Sequence, residues 1–150
     1  MCATQFAVEG VRGEWLRVNN PTQAILYLHG GGYIAGVPTT YLTLCAKFAK
    51  ALQADVYMPA YRLAPEHPFP AGPDDCEAAA CWLLEHAQQE FGTDRLFIGG
   101  ESAGAHLSAL TLLRMRDRHN AAAAFHAANL VFGAYDLGMT PSQRYWGDRN

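Results

Sequence analysis

Arg95-Leu96-Phe97-Ile98-Gly99-Gly100-Glu101-Ser102-Ala103-Gly104 is the stretch on which the reading of the fold turns. Arg95 to Ile98 has strand character and runs into paired glycines, and an amphipathic helix is predicted from Ala103 to about Arg118. A strand that turns through Gly99-Gly100 into a helix, with G-x-S-x-G across the junction, is the context in which that motif carries chemistry. The turn raises the Ser102 hydroxyl above the end of a sheet, and the flanking Gly100 and Gly104 are needed where strand and helix pass too close for a Cβ. Ser102 also stands at a helix N-terminus, where free N–H groups and the dipole favour an anionic intermediate. Out of this context, the same residues form an ordinary tight turn.

Upstream, the apolar run Ala24-Ile25-Leu26-Tyr27-Leu28 suits a strand buried on both faces, and it stops at His29-Gly30-Gly31-Gly32. Consecutive glycines let backbone N–H groups face a substrate oxygen with no side chain between. Attack on an ester carbonyl builds negative charge on that oxygen, so such donors stabilise the transition state more than the ground state. Gly31 and Gly32 can supply two of these N–H groups and Ala103 a third. A flexible glycine turn or a phosphate cradle is the alternative, but GxxxxGK[ST] is absent and no GxGxxG opens a helix here.

Farther out, Phe6–Val8 and Trp15–Val18 read as a hairpin around Gly10 and Gly13. A helix fits Tyr41–Gln53, with Tyr41, Leu44, Cys45, Phe48 and Leu52 on its buried stripe and Thr39 or Thr40 as its cap. Asp55–Met58 is a strand, and the proline-rich Tyr61–Pro73 a loop. Asp74, with Glu77 three residues on, looks like the capping box of a helix that Gly92 closes. Arg114, Arg116 and Arg118 suit the C-terminal dipole of the helix after Ser102. Ala121–Ala124 reads as a spacer before a last strand, Leu130–Phe132. Alternating strands and helices mean an α/β fold: one mostly parallel sheet with helices on both faces.

The 150 residues suffice for one domain, and a chain that is 50% hydrophobic and 17% charged is not disordered. A net charge of −3 without a Lys/Arg cluster gives no footprint for nucleic acid or an anionic membrane. Val18–Ala46 lacks charged side chains, but its asparagines, prolines and glycines rule out a membrane-spanning helix. Met1–Thr4 shows neither the basic nor the apolar region of a signal peptide, which points to the cytoplasm. Cys2, Cys45, Cys76 and Cys81 form no CxxC, and buried reduced thiols are expected, not metal ligands.

Four ordered motifs resemble the hormone-sensitive-lipase-like esterases of the α/β-hydrolase fold: HGGGY at His29–Tyr33, YRLAPE at Tyr61–Glu66, FPA at Phe69–Ala71 with Asp75 soon after, and GESAG at Gly100–Gly104. The resemblance runs from about Glu14 to Asp136. It implies Ser102 as nucleophile, Gly31 and Gly32 with Ala103 as the oxyanion hole, and His29, Gly30 and Glu101 as residues shaping the site. Tyr61–Glu66 and Asp75 correspond to scaffold around it. No cofactor is implied, and the partner is a small ester with a short or medium acyl chain.

The triad order of this fold is Ser, then an acid, then His. His106, His119 and His126 follow Ser102, yet none lies beyond a plausible acid, and Asp136 has no histidine after it. His106 shares the helix of Ser102 and should point away from it, while His119 and His126 fall in the spacer and His67 and His86 on surface elements. The family's acid and histidine strands and most of its N-terminal cap have no counterpart here. Residues 1–150 therefore read as one incomplete domain, its N-terminal and central part, inactive alone and exposing Leu130–Phe132 as a sheet edge prone to self-association. Two further readings use the same parts: a non-catalytic module binding a small ligand, and an amidase or arylformamidase.

Overall fold

The computed structural model describes residues 2–8, 10–136 and 138. Six strands form one sheet: β1 (Cys2–Val8), β2 (Val11–Arg17), β3 (Gln23–Leu28), β4 (Ala54–Pro59), β5 (Leu96–Glu101) and β6 (Phe125–Val131), in spatial order β1-β2-β4-β3-β5-β6. The β1–β2 hairpin turns at Gly10, Gly13 lies inside β2, and β2 runs antiparallel to β4. From β4 onward every pairing is parallel, as the alternating strands and helices require.

Strand periodicity divides the core. Ala24, Leu26 and Leu28 of β3, with Leu96 and Ile98 of β5, face α2 (Ala71–Phe91) and α3 (Ala103–His119). Ile25 and Tyr27 point the other way, to Cys45 and Ala49 of α1 (Leu42–Leu52). Trp15 stacks between Tyr57 and Phe91, with centroids 4.8 and 4.6 Å away, and closes the α2 side. Cys45, Cys76 and Cys81 are free, burial pushing the Cys45 thiol up to about 12; the side chain of Cys2 lies outside the described residues.

Several element ends differ from their sequence reading. A 3₁₀ turn over Pro38–Tyr41 contains Thr39 and Thr40, and no side chain caps α1. α2 starts at Ala71 with Pro70 at its N-cap, three residues before the supposed capping box. Pro73 is tolerated because amides of a first helical turn have no intrahelical acceptor to lose. Glu77 turns to α3, receiving Arg114 at 3.0 Å, Arg118 at 2.7 Å and His119 at 2.8 Å. Arg114 also pairs with Asp74 at 2.8 Å, so these two cations bind a neighbouring helix, while Arg116 pairs with Asp117.

β5 continues through Gly99 and Gly100 to Glu101, because Gly99 and Gly100 pair with both β3 and β6. β6 begins at Phe125, which places His126 on a strand beside Phe97 and leaves only Ala122–Ala124 as a 3₁₀ spacer. Leu44 and Leu52 are exposed, since α1 lies over β4 and β2 and leaves the β5–β6 end of its face open. Among the described residues nothing pairs with the outer side of β6, where Leu130, Val131 and Phe132 are exposed.

Two outcomes follow for the isolated chain. Gly104→Ala should destabilise it by about 1–3 kcal/mol or more, because the added methyl meets backbone carbonyls that cannot rotate away; an unchanged denaturation midpoint would show the contact to be loose. Sedimentation velocity should reveal association that rises with concentration and falls in Val131→Lys, since a charge on an open edge opposes strand pairing. A monomer at every concentration would show that the edge is inert.

Candidate active site at the ends of β3 and β5

The parallel strands β3 and β5 end side by side, Leu28 opposite Gly100, at the carboxyl edge where α/β sheets bind ligands. Ser102 follows at φ 53°, ψ −121°, a conformation costing about 1–3 kcal/mol for a residue with a Cβ. Its backbone is held from both sides. The N–H donates to Val131 O at 2.9 Å, and the carbonyl accepts from Ala105 at 3.1 Å and His106 at 3.2 Å. Ala103 opens α3, so its N–H belongs to the unpaired first turn.

Gly100 and Gly104 flank this corner for a reason the sequence only half disclosed. A Cβ on Gly100 would lie 2.8 Å from Gly104 C, the expected strand–helix crowding. On either glycine it would also collide with the carbonyl of Leu28, and from Gly104 it would come within 2.6 Å of His29 O. The end of β3 is thus pressed directly against the turn bearing Ser102, and the glycine loop that continues from it starts there.

His29 is buried between Tyr61 (centroids 4.3 Å) and Tyr41 (5.8 Å). Burial pushes its imidazole below the usual histidine value, and the neutral ring donates from Nδ1 to Gly30 O at 2.7 Å. The Tyr61 hydroxyl donates to His29 O at 2.6 Å. Gly36, unremarked in the sequence, packs on the same ring: at φ 99° its missing Cβ would sit 2.7 Å from His29 Nδ1. Gly30 rests against the Glu101 carboxylate, whose Oε1 accepts the Tyr41 hydroxyl at 2.7 Å. Glu101 therefore ties the serine turn to the glycine loop and to the turn before α1.

Gly31 (φ 128°) and Gly32 (φ 63°) take conformations that favour glycine. The carbonyl of Gly31 accepts Ile34 N–H at 3.2 Å and Ala35 N–H at 3.0 Å, curling the loop. No described residue accepts the N–H of Gly31 or Gly32. Beyond them, the Tyr33 carbonyl receives Ala64 N–H at 2.9 Å from the proline-rich segment. That segment is clamped by buried Asp75, which takes the Arg62 backbone N–H at 2.8 Å and its guanidinium at 2.7 Å.

Three further histidines are engaged away from Ser102. His106 Nδ1 meets the Tyr33 hydroxyl at 2.7 Å, His86 stacks on Trp82, and His119 ends α3 bound to Glu77. Among the described residues none hydrogen-bonds the Ser102 hydroxyl. Asp136 is exposed five residues past the end of β6 and accepts Gly138 N–H at 2.7 Å. No helix among the described residues is long and apolar enough to cross a membrane.

Comparison with known proteins bears on the family and the fold. Residues 25–148 match a family described by its alpha/beta hydrolase fold. The carboxylic ester hydrolase LipN of Mycobacterium tuberculosis is 41% identical over 99 residues, 65% of this chain and 26% of LipN. The carboxylesterase NlhH of the same organism is 42% identical over 112 residues, 71% of this chain and 34% of NlhH. Among solved structures, an esterase/lipase from an uncultured bacterium superposes with TM-score 0.81 at 35% identity, over 98% of this chain and 50% of that one. A hormone-sensitive lipase from a metagenome library gives TM-score 0.71 at 40% identity, over 78% of this chain and 40% of that one. The chain thus spans about a quarter to a third of these curated relatives' length and at most half of these two solved structures. With its four motifs gathered at one edge of a partial sheet, the chain belongs to the alpha/beta hydrolase fold family, among the hormone-sensitive-lipase-like proteins.

Proposed function

We propose that these residues form the nucleophile and oxyanion half of a carboxylic-ester hydrolase for short or medium acyl esters. The observation that carries this reading is the strained Ser102, held at φ 53° between glycines that admit the end of β3. Ser102 Oγ attacks the ester carbonyl, and its proton passes to a base as the tetrahedral intermediate forms. The N–H groups of Gly31, Gly32 and Ala103 receive the developing oxyanion. Collapse expels the alcohol and leaves an acyl-Ser102, which water then hydrolyses to the carboxylic acid. Glu101, Gly30 and His29 act indirectly, by fixing where the loop leaves β3.

The base and its acid partner are assigned to residues outside those described. His29 is enclosed and bonded to Gly30, and His106 is taken by Tyr33. A serine hydroxyl with no base is a poor nucleophile at neutral pH. Intact enzymes that lose one triad member still keep on the order of 10³–10⁴-fold enhancement over water, and a partial pocket should fall below that.

The 150-residue chain should therefore neither hydrolyse p-nitrophenyl butyrate above background nor take up a serine-directed phosphonate rapidly. Rapid stoichiometric labelling of Ser102 would show that a base is already present and overturn that assignment.

A second test uses a longer polypeptide, in which these residues are followed by an acid and then a histidine. Labelling should be fast there and vanish in Ser102→Ala. Gly31→Val should lower kcat by roughly 10²-fold or more through lost oxyanion donation. Unchanged turnover in Ser102→Ala would place the chemistry elsewhere.

A further inference from the structure

Tyr33 directly follows Gly31 and Gly32, and it is held in a left-handed conformation (φ 67°) that residues with a Cβ rarely adopt. Something must keep it there. One anchor is its carbonyl, bonded to Ala64 N–H at 2.9 Å. The other is its hydroxyl, 2.7 Å from Nδ1 of His106, with the two rings edge to face and centroids 5.7 Å apart. His106 lies one turn beyond Ser102 on α3, and its own N–H donates to the Ser102 carbonyl at 3.2 Å. A short path of covalent and hydrogen bonds therefore runs from the nucleophile's backbone through His106 and Tyr33 to the paired glycine amides.

We propose that the Tyr33–His106 hydrogen bond is a latch that fixes the Gly31 and Gly32 amides relative to Ser102, making His106 a positioning residue and not a base. The proposal rests on the oxyanion role given above to those glycines. It explains why a histidine on the serine's own helix is turned to the loop. It also accounts for a tyrosine with a strained backbone and a well-placed hydroxyl directly after the glycines. The latch forms one wall of a cavity of about 480 Å³ that Tyr61, Arg62, His67 and Leu110 help to line. Arg62 is bound by Asp75, which leaves Tyr33, Tyr61 and His67 as the other titratable groups on that cavity. On α3 itself, the residues one turn either side of His106 (Ser102, Ala103, Ala109, Leu110) are uncharged. Burial holds the His106 imidazole below the ordinary value, so at neutral pH Nδ1 accepts the tyrosine proton.

The test is a ¹H–¹⁵N NMR titration of the 150-residue chain. The Gly31 and Gly32 amide resonances should move with the His106 titration in the unmodified protein. In Tyr33→Phe they should cease to follow it, because the titrating ring no longer has a bond to the loop. His106→Asn, which keeps an acceptor, should leave the glycine resonances near their original positions, whereas His106→Leu should displace them. Glycine amides indifferent to the His106 titration would overturn the proposal without any substitution being made. Glycine amides that still follow the titration in Tyr33→Phe would do the same. Failure of phosphonate labelling in the longer polypeptide would sink the hydrolase reading, yet leave this coupling intact.

Discussion

The contact between the Leu28 carbonyl and the two glycines around Ser102 is the constraint on which the rest depends. Backbone meets backbone there, with no side chain able to move aside, so the end of β3 and the turn after β5 have one relative position. The parallel pairing of β3 with β5 brings the two ends level, and the missing Cβ atoms let them close. Everything chemical follows from that closure. The glycine loop leaves β3 beside the serine, and Glu101 and Tyr41 fasten its first residue. Tyr61 and Gly36 hold the His29 ring and carbonyl beneath it.

The strain at Ser102 has its counterweight in the same framework. Val131 on β6 and the first turn of α3 grip the serine backbone, so an unfavourable φ is maintained by two elements at once. The N–H of Ala103 belongs to that same first helical turn, and no described residue accepts the N–H of Gly31 or Gly32 in the loop beside it. In the proposed oxyanion role, amides fixed in this way would stabilise charge without reorganising, which is where most of the advantage of such a site lies.

Much of this was legible in the sequence, because strand, glycine turn and helix are local and their residue signals are strong. The β5–Ser102–α3 passage, the strand into His29–Gly32 and the parallel sheet all needed only patterns of a few residues. What failed were readings where tertiary partners outcompete local ones. Asp74 and Glu77 have the spacing of a capping box, but Arg114, Arg118 and His119 sit within reach and claim them. Leu44 and Leu52 fit an amphipathic stripe, but the sheet face they approach is open. His126 follows four alanines and looked like spacer, whereas strand pairing with β5 begins at Phe125. The Tyr33–His106 pair joins residues 73 positions apart and leaves no mark on either neighbourhood. Nor does anything around Gly36 announce that a histidine ring will lie against it.

The proposed oxyanion hole requires that Gly31, Gly32 and Ala103 point their N–H groups at one place beside Ser102 Oγ. A crystal structure of the phosphonylated serine, in a polypeptide long enough to react, tests it most directly. The phosphonyl oxygen should lie within about 2.7–3.1 Å of all three nitrogens. An oxygen turned to solvent, with the glycine amides bonded elsewhere, would contradict the account.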